Sequence, residues 1–197
     1  MMAENQHEAP SVAWVSWADI PAGSPLAHAG PAASAMIGHP VRRRIESTVA
    51  AARAELGPAS RRITVTVDGM DSAELDHTRA WLAAGQLTAV EAGRRLGIRV
   101  DEEELPGWVS GWLISAHGPN GVTTTSVLPT MESAELAVDL ASWLQQVLAD
   151  AGISEPVPPC PGHPHPMVPT VHEAAPWWSC PAGNLVRPWQ THPTAVV

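Results

Sequence analysis

Cys160, His163, His165, His172 and Cys180 form the densest set of soft donors in the chain. They fall in Cys160-Pro-Gly-His-Pro-His165 and, beyond a stretch that carries His172, in Trp177-Trp-Ser-Cys-Pro181. Both cysteines of the protein lie in this region. A thiolate and an imidazole separated by two residues can turn onto one ion, and Gly162 supplies the backbone freedom for that turn. Two thiolates and two imidazoles suit zinc and would close its tetrahedral shell with protein groups alone. The expected metal ligands are Cys160, His163, His165 and Cys180. His165 is placed fourth because it lies two residues after His163. His172 is expected near the tip of a hairpin formed by about 166–171 and 176–180, away from the ion. His192 joins the set only if the C-terminus wraps back.

Residues 158–184 resemble a zinc ribbon. Cys160-Pro-Gly-His163 is one full knuckle, and Cys180-Pro-Ala-Gly183 is a second that gives one ligand, because Gly183 stands where a ribbon carries its fourth cysteine. The resemblance implies a closed, structural Cys2His2 site. A second reading keeps Cys160, His163 and Cys180 as three ligands of a catalytic zinc with one open position. Such a site needs a general acid or base, and Glu173 is the only carboxylate inside the tail. Beside His172 at the expected hairpin tip, it is badly placed for that work. A metal-free dithiol and a Cys160–Cys180 disulfide are the remaining readings.

Two other groups of residues invite a chemical reading. Thr88-Ala-Val-Glu91 is a capping-box pattern opening a short helix that ends at Leu96-Gly97. Residues 87–98 resemble the first half of a helix-turn-helix, and the whole segment 87–106 would then make the chain a DNA-binding regulator. The segment that should then read the groove is Arg99-Val-Asp-Glu-Glu-Glu-Leu-Pro106, whose acidic run repels phosphate. Asp68, Asp71, Asp76, His77 and His117 are scattered and read as surface polar groups. No phosphate loop, nucleotide fingerprint or nucleophile motif accompanies them.

The elements that must position these residues are set by periodicity. Pro40–Leu56 is expected to be a helix, with Ile45, Val49, Ala52 and Leu56 on one face and Gly57-Pro58 as its stop. Arg42, Arg43 and Arg44 in its first turn read as a solvated face. Arg61–Val67 alternates with β-branched residues and predicts a strand, with a turn at Asp68-Gly69. Ser72–Ala84 predicts a second helix. Trp108–Ala116 and Gly121–Leu128 predict two strands joined at Asn120-Gly121. Glu132–Ala151 predicts the last helix, with Leu136, Leu140, Trp143, Leu144 and Val147 as its apolar stripe. Trp177 and Trp178 point to opposite faces of a strand, one to cover the knuckle and one to dock the tail.

The fold class is therefore α+β: a small antiparallel sheet of about three strands with helices mainly on one face, plus a C-terminal zinc-ribbon-like hairpin. The organisation is a flexible arm over 1–38, a body over 39–153, a proline-rich linker over 154–159 and the tail over 160–197. Trp14 and Trp17 in the arm are expected to pack on the body or a partner. Of 197 residues 45% are apolar, but Phe and Tyr are absent, so nine tryptophans must fill the aromatic volume of the core. Lysine is also absent, and this composition fits a GC-rich bacterial genome. A net charge of −9 disfavours nucleic acid and anionic membranes. No apolar run approaches a membrane span, and no secretory signal is seen, so a cytoplasmic location is expected. The expected role is a non-enzymatic binding or accessory protein with a protein partner and, given a free sheet edge, scope for self-association.

Overall fold

The computed structural model describes residues 39–70, 72–85 and 87–190. The N-terminal arm with Trp14 and Trp17, Asp71 and His192 lie outside the described residues.

Helix α1 spans Pro40–Leu56, and α5 spans Ser133–Asp150. They pack along each other and form the spine of the molecule. Pro40 fits the first turn of α1 because its missing N–H would have no helical partner there. His39 caps the helix, its Nδ1 accepting from the Val41 N–H at 3.2 Å. Val41, Ile45, Val49, Ala52 and Leu56 recur at helical spacing and are all buried. Gly57 ends the helix at φ 69°, and a 3-10 turn over Gly57–Arg62 leads into the sheet. The arginines of the first turn are not simply solvated. Arg42 pairs with Glu46 at 2.8 Å, and Arg44 donates to the Met131 carbonyl at 2.7 Å, tying α1 to the approach of α5.

Strands β1 (Thr64–Met70), β2 (Trp112–Gly118) and β3 (Gly121–Val127) form an antiparallel sheet in the order β1-β2-β3. The inward row includes Val67, Ile114, Ala116 and Val127, all buried, and both long helices contribute to the same core. The strand expected at Arg61–Val67 starts later and runs further. Arg61 and Arg62 complete the 3-10 turn, and Asp68-Gly69 does not turn the chain. Val67 pairs with Ile114 and Gly69 with Leu113, so Asp68 is the extra residue of a bulge. Gly69 takes φ 105°, which a side chain would resist.

Between β1 and β2 lie α2 (Ser72–Ala83), α3 (Ala89–Leu96) and the single turn α4 (Leu105–Val109). The strand expected from Trp108 is helical until Val109, because Pro106 suits a first helical turn. Trp108 and Trp112 therefore do not alternate on one strand. They still meet in one core, both at most 2% exposed, with the Trp112 indole donating to the Gly107 carbonyl at 2.8 Å. Gly107 is required by its neighbour: a Cβ there would lie 2.5 Å from the His39 ring. In the helix-turn-helix-like segment, Thr88 caps α3 through the Glu91 N–H, and Gly97 closes it at φ 68°. Beyond Gly97 the chain is extended, passes through an acidic turn and enters the five-residue α4, so no second long helix stands where a groove reader would be.

The tail makes a second sheet, β4 (Val168–His172), β5 (Ala175–Ser179) and β6 (Leu185–Pro188), where a two-stranded hairpin was expected. The β4–β5 turn is Glu173-Ala174, both left-handed at φ 50° and 57°, as a two-residue hairpin turn demands. The inner face of this sheet carries Trp178, which stacks on Trp189 at 5.4 Å. These rings, with Met167 and Cys180, join Leu56, Leu144 and Leu148 in a single core cluster. The tail thus completes the core at one end of α1 and α5. The other end holds Val41, Ile45, Trp108, Trp112, Leu136 and Leu140. Among the described residues, no helix is long and apolar enough to cross a membrane.

Candidate metal centre

Two proline turns build the site. In the first, the His163 N–H donates to the Cys160 carbonyl at 3.2 Å, and Gly162 takes φ 77°. Pro161 with a left-handed glycine after it is the residue pair that a type II turn calls for. In the second, the Gly183 N–H donates to the Cys180 carbonyl at 2.8 Å across Pro181-Ala182. The Ala182 N–H also points at the Cys180 sulfur, 3.4 Å away, a contact that favours a thiolate. Each cysteine is pinned by its own N–H as well, that of Cys160 to the His165 carbonyl at 3.1 Å and that of Cys180 to the Asn184 carbonyl at 2.8 Å.

The turns bring Cys160, His163, His165 and Cys180 together, with one donor atom from each and all four within 4.8 Å of one another. The Nδ1 of His163 stands 3.5 Å from the Cys160 sulfur and 3.4 Å from the Cys180 sulfur. The Nε2 of His165 is 3.9 Å from the Cys180 sulfur. In a tetrahedral zinc site, with Zn–S about 2.3 Å and Zn–N about 2.0 Å, neighbouring sulfur and nitrogen donors lie about 3.5 Å apart. The two sulfur contacts of His163 match that spacing and the His165 contact is slightly longer, so the four residues are positioned to bind a metal compatible with zinc.

The tautomers agree with this. The Nδ1 of His165 lies 3.0 Å from the Pro166 carbonyl oxygen, which can only accept. The proton of a neutral ring therefore sits on Nδ1 and leaves the Nε2 lone pair facing the sulfurs, the usual arrangement behind a metal-bound imidazole. The His163 and His165 rings stack at 5.0 Å, which fixes both orientations. Burial, and then the adjacent Cys180 thiol, push the Cys160 thiol above its ordinary range. Two neighbouring sulfurs resist ionising together unless a cation sits between them. Soft sulfur and nitrogen donors, with no carboxylate among them, exclude calcium and magnesium.

His172 lies at the far end of β4, edge-on to Trp177 at 5.3 Å, with Glu173 in the adjoining turn. Of the scattered polar residues, Asp76, His77 and His117 are exposed, Asp76 pairing with Arg79 at 3.7 Å. Asp68 accepts from the Ser115 and Thr66 hydroxyls. None of these approaches the metal centre's donor set.

Two body residues that position the site carry no signal in the sequence. Gln145 on α5 donates from one amide nitrogen to the Val157 carbonyl at 2.7 Å and the Met167 carbonyl at 2.8 Å. It grips both ends of the loop that holds Cys160, His163 and His165. The Met167 N–H closes the same loop onto the Pro158 carbonyl at 2.9 Å. Glu55 on α1 is buried and accepts from the Trp178 indole at 2.9 Å and the Arg187 guanidinium at 2.8 Å. Sequence pattern alone puts an acidic residue near a helix end on the surface, whereas here the tail covers it. Compared with protein-family models, curated proteins and solved structures, the chain matches none.

Proposed function

We propose that the chain is a non-enzymatic binding or accessory protein whose ribbon-like tail holds a structural zinc ion through Cys160, His163, His165 and Cys180. The observation that carries this reading is the convergence of four soft donor atoms within 4.8 Å. Four protein donors fill a tetrahedral shell and leave no position for substrate or reactive water. Two thiolates balance a divalent charge, so the bound site is neutral and tolerates its place beside the apolar core.

The catalytic alternative has less support. Its three-ligand form requires His165 to stand aside, although the Nδ1 contact to Pro166 turns Nε2 toward the sulfurs. Its only carboxylate in the tail, Glu173, lies at the opposite end of a hairpin whose metal-side pair is Val168 and Ser179. Four residue steps along a strand separate those ends by about 13 Å. For the partner, the net charge of −9 favours a protein over a phosphate backbone.

Elemental analysis of the full chain purified under reducing conditions tests the reading. One zinc per chain is expected, with a loss of thermal stability on chelation that added zinc restores. A reduced, folded chain that takes up no zinc overturns it. A cobalt-substituted site whose spectrum shows an exchangeable water would favour the enzyme instead.

A further inference from the structure

The sulfurs that would hold the ion are also the only two thiols of the chain. We infer that Cys160 and Cys180 are a peroxide-sensitive pair whose oxidation to a disulfide expels the metal. The inference rests on the zinc reading above. It goes beyond that reading because it makes the site responsive instead of merely structural.

Geometry supplies the first argument. The two Sγ atoms are within 4.8 Å of each other, and a disulfide needs them about 2.05 Å apart. The remaining approach is a turn-sized movement. Each cysteine heads a proline turn made of exposed residues, Pro161–Pro164 in one and Pro181–Leu185 in the other. The hydrogen bond that closes each turn lies within it, so it travels with the turn.

Access supplies the second. Both cysteines are about 5% exposed or less, and each is followed in the chain by a turn of exposed residues. Met167 and Trp178 share one buried cluster with them, whereas His163, whose Nδ1 stands 3.5 Å from one sulfur and 3.4 Å from the other, is exposed. A hydroperoxide as small as hydrogen peroxide can reach sulfur beside such turns, while a bulky disulfide such as oxidised glutathione cannot bring its sulfur into line with a thiolate this buried. Metal-bound thiolate retains the nucleophilicity that oxidation requires.

The chemistry balances with hydrogen peroxide as the oxidant. One thiolate sulfur attacks a peroxide oxygen, the O–O bond breaks, and hydroxide leaves a sulfenic acid on that cysteine. The second thiolate attacks the sulfenic sulfur, the S–O bond breaks, and a second hydroxide departs as the S–S bond forms. The sulfurs give up two electrons and the peroxide takes them, while two protons turn the hydroxides into water. With no third thiol in the chain, the partner cysteine is the only internal thiol that can resolve the sulfenic acid. Zinc keeps its charge throughout. It leaves because disulfide sulfur is a poor donor and two imidazoles alone hold it weakly. The contacts of Glu55 and Gln145 involve neither cysteine, so the tail loosens at its turns without detaching from the body.

The experiment uses the zinc-loaded full chain, a chromogenic zinc chelator and intact-mass spectrometry. Stoichiometric hydrogen peroxide is expected to release the zinc with loss of two hydrogen atoms in mass. Peptide mapping should find Cys160 joined to Cys180, and a dithiol reductant with added zinc should reverse both changes. Oxidised glutathione at the same concentration should release at least tenfold less zinc in the same time. Retained zinc, or release accompanied by added oxygen atoms on the cysteines, overturns the switch and leaves the structural site standing. A reduced chain that binds no zinc at the outset overturns the site itself, which separates the two failures. Because Cys160→Ser removes a ligand and so risks unfolding the tail, the decisive readings are all made on the unaltered chain.

Discussion

The indole N–H of Trp178 donates to the carboxylate of Glu55 across 2.9 Å, and the two residues are 123 positions apart in the chain. Trp178 is fully buried and stands two residues before Cys180, while Glu55 is in the last turn of α1. The pair fixes the sheet that leads into the second turn of the candidate metal centre to the helical spine. Arg187 adds a charged contact to the same carboxylate from β6.

Replacing Glu55 tests this grip. Glu55→Ala leaves the indole N–H without its partner and the Arg187 charge unmatched. Breaking a buried charged network in this way costs about 3 kcal/mol, the lower end of the usual range because Arg187 can relax into solvent. Glu55→Gln keeps the acceptor oxygen for Trp178 but turns its NH2 toward the Gln190 N–H that now donates to the other oxygen, so it should cost less than Glu55→Ala without being neutral. Urea denaturation monitored by tryptophan fluorescence measures both, and equal stability of Glu55→Ala and the unaltered chain would contradict the assignment.

Gln145 holds the first turn from behind. Gln145→Leu preserves helix propensity and volume but leaves the Val157 and Met167 carbonyls without its amide. Because outer residues orient the ligands, zinc affinity is expected to fall about tenfold or more. Competition against a chromogenic chelator reads the change, and circular dichroism should show the helical body intact.

Zinc binding should release protons. Burial and the neighbouring Cys180 hold the Cys160 thiol above its ordinary range without the ion, so this sulfur carries its proton at neutral pH. Zinc takes the thiolate, so affinity rises with pH and falls on acidification. Calorimetric titrations in buffers of different ionisation enthalpy should give different observed heats near neutral pH. Identical heats in all buffers would mean that no thiol is deprotonated on binding.

His39 gives the body its own pH dependence. Burial holds its imidazole below the ordinary range, with the Glu104 carboxylate and carbonyl drawing it partly back. The unfolded chain, where histidine titrates near about 6.5, therefore binds the proton more readily than the folded one. The contribution of neutral His39 is fully present above that pH and is lost as the pH falls through the lower, folded value. His39→Asn keeps a side-chain acceptor for the cap but removes the titration. Between about pH 7.5 and about pH 5.5, measured with chelator present, the unaltered chain should lose more stability than the variant; parallel losses would exclude His39 as the source.

The sequence by itself determined the long helices, because Val41 to Leu56 and Leu136 to Val147 repeat at a period that only one local structure satisfies. It also made Cys160, His163, His165 and Cys180 candidate donors, and the structure brings the four together, because two prolines and a left-handed glycine shape the turns around Cys160 and Cys180 locally. The three-stranded body sheet was legible through its β-branched alternation, though its edges shifted. The bulge at Asp68 and the helical turn at Trp108 depend on pairing with β2 and on packing against His39, neither of which leaves a periodic trace.

Only the tertiary structure decided how the tail joins the core. Trp178, Trp189 and Met167 look like any apolar residues of a short sheet until Leu56 and Leu144 are placed against them. It also decided that β6 completes a third strand and that Glu55 and Gln145 serve the tail. Polar side chains of this kind read as solvated in sequence. The partners of Glu55 stand more than a hundred residues away, and those of Gln145 lie across a loop, separations that no local pattern encodes.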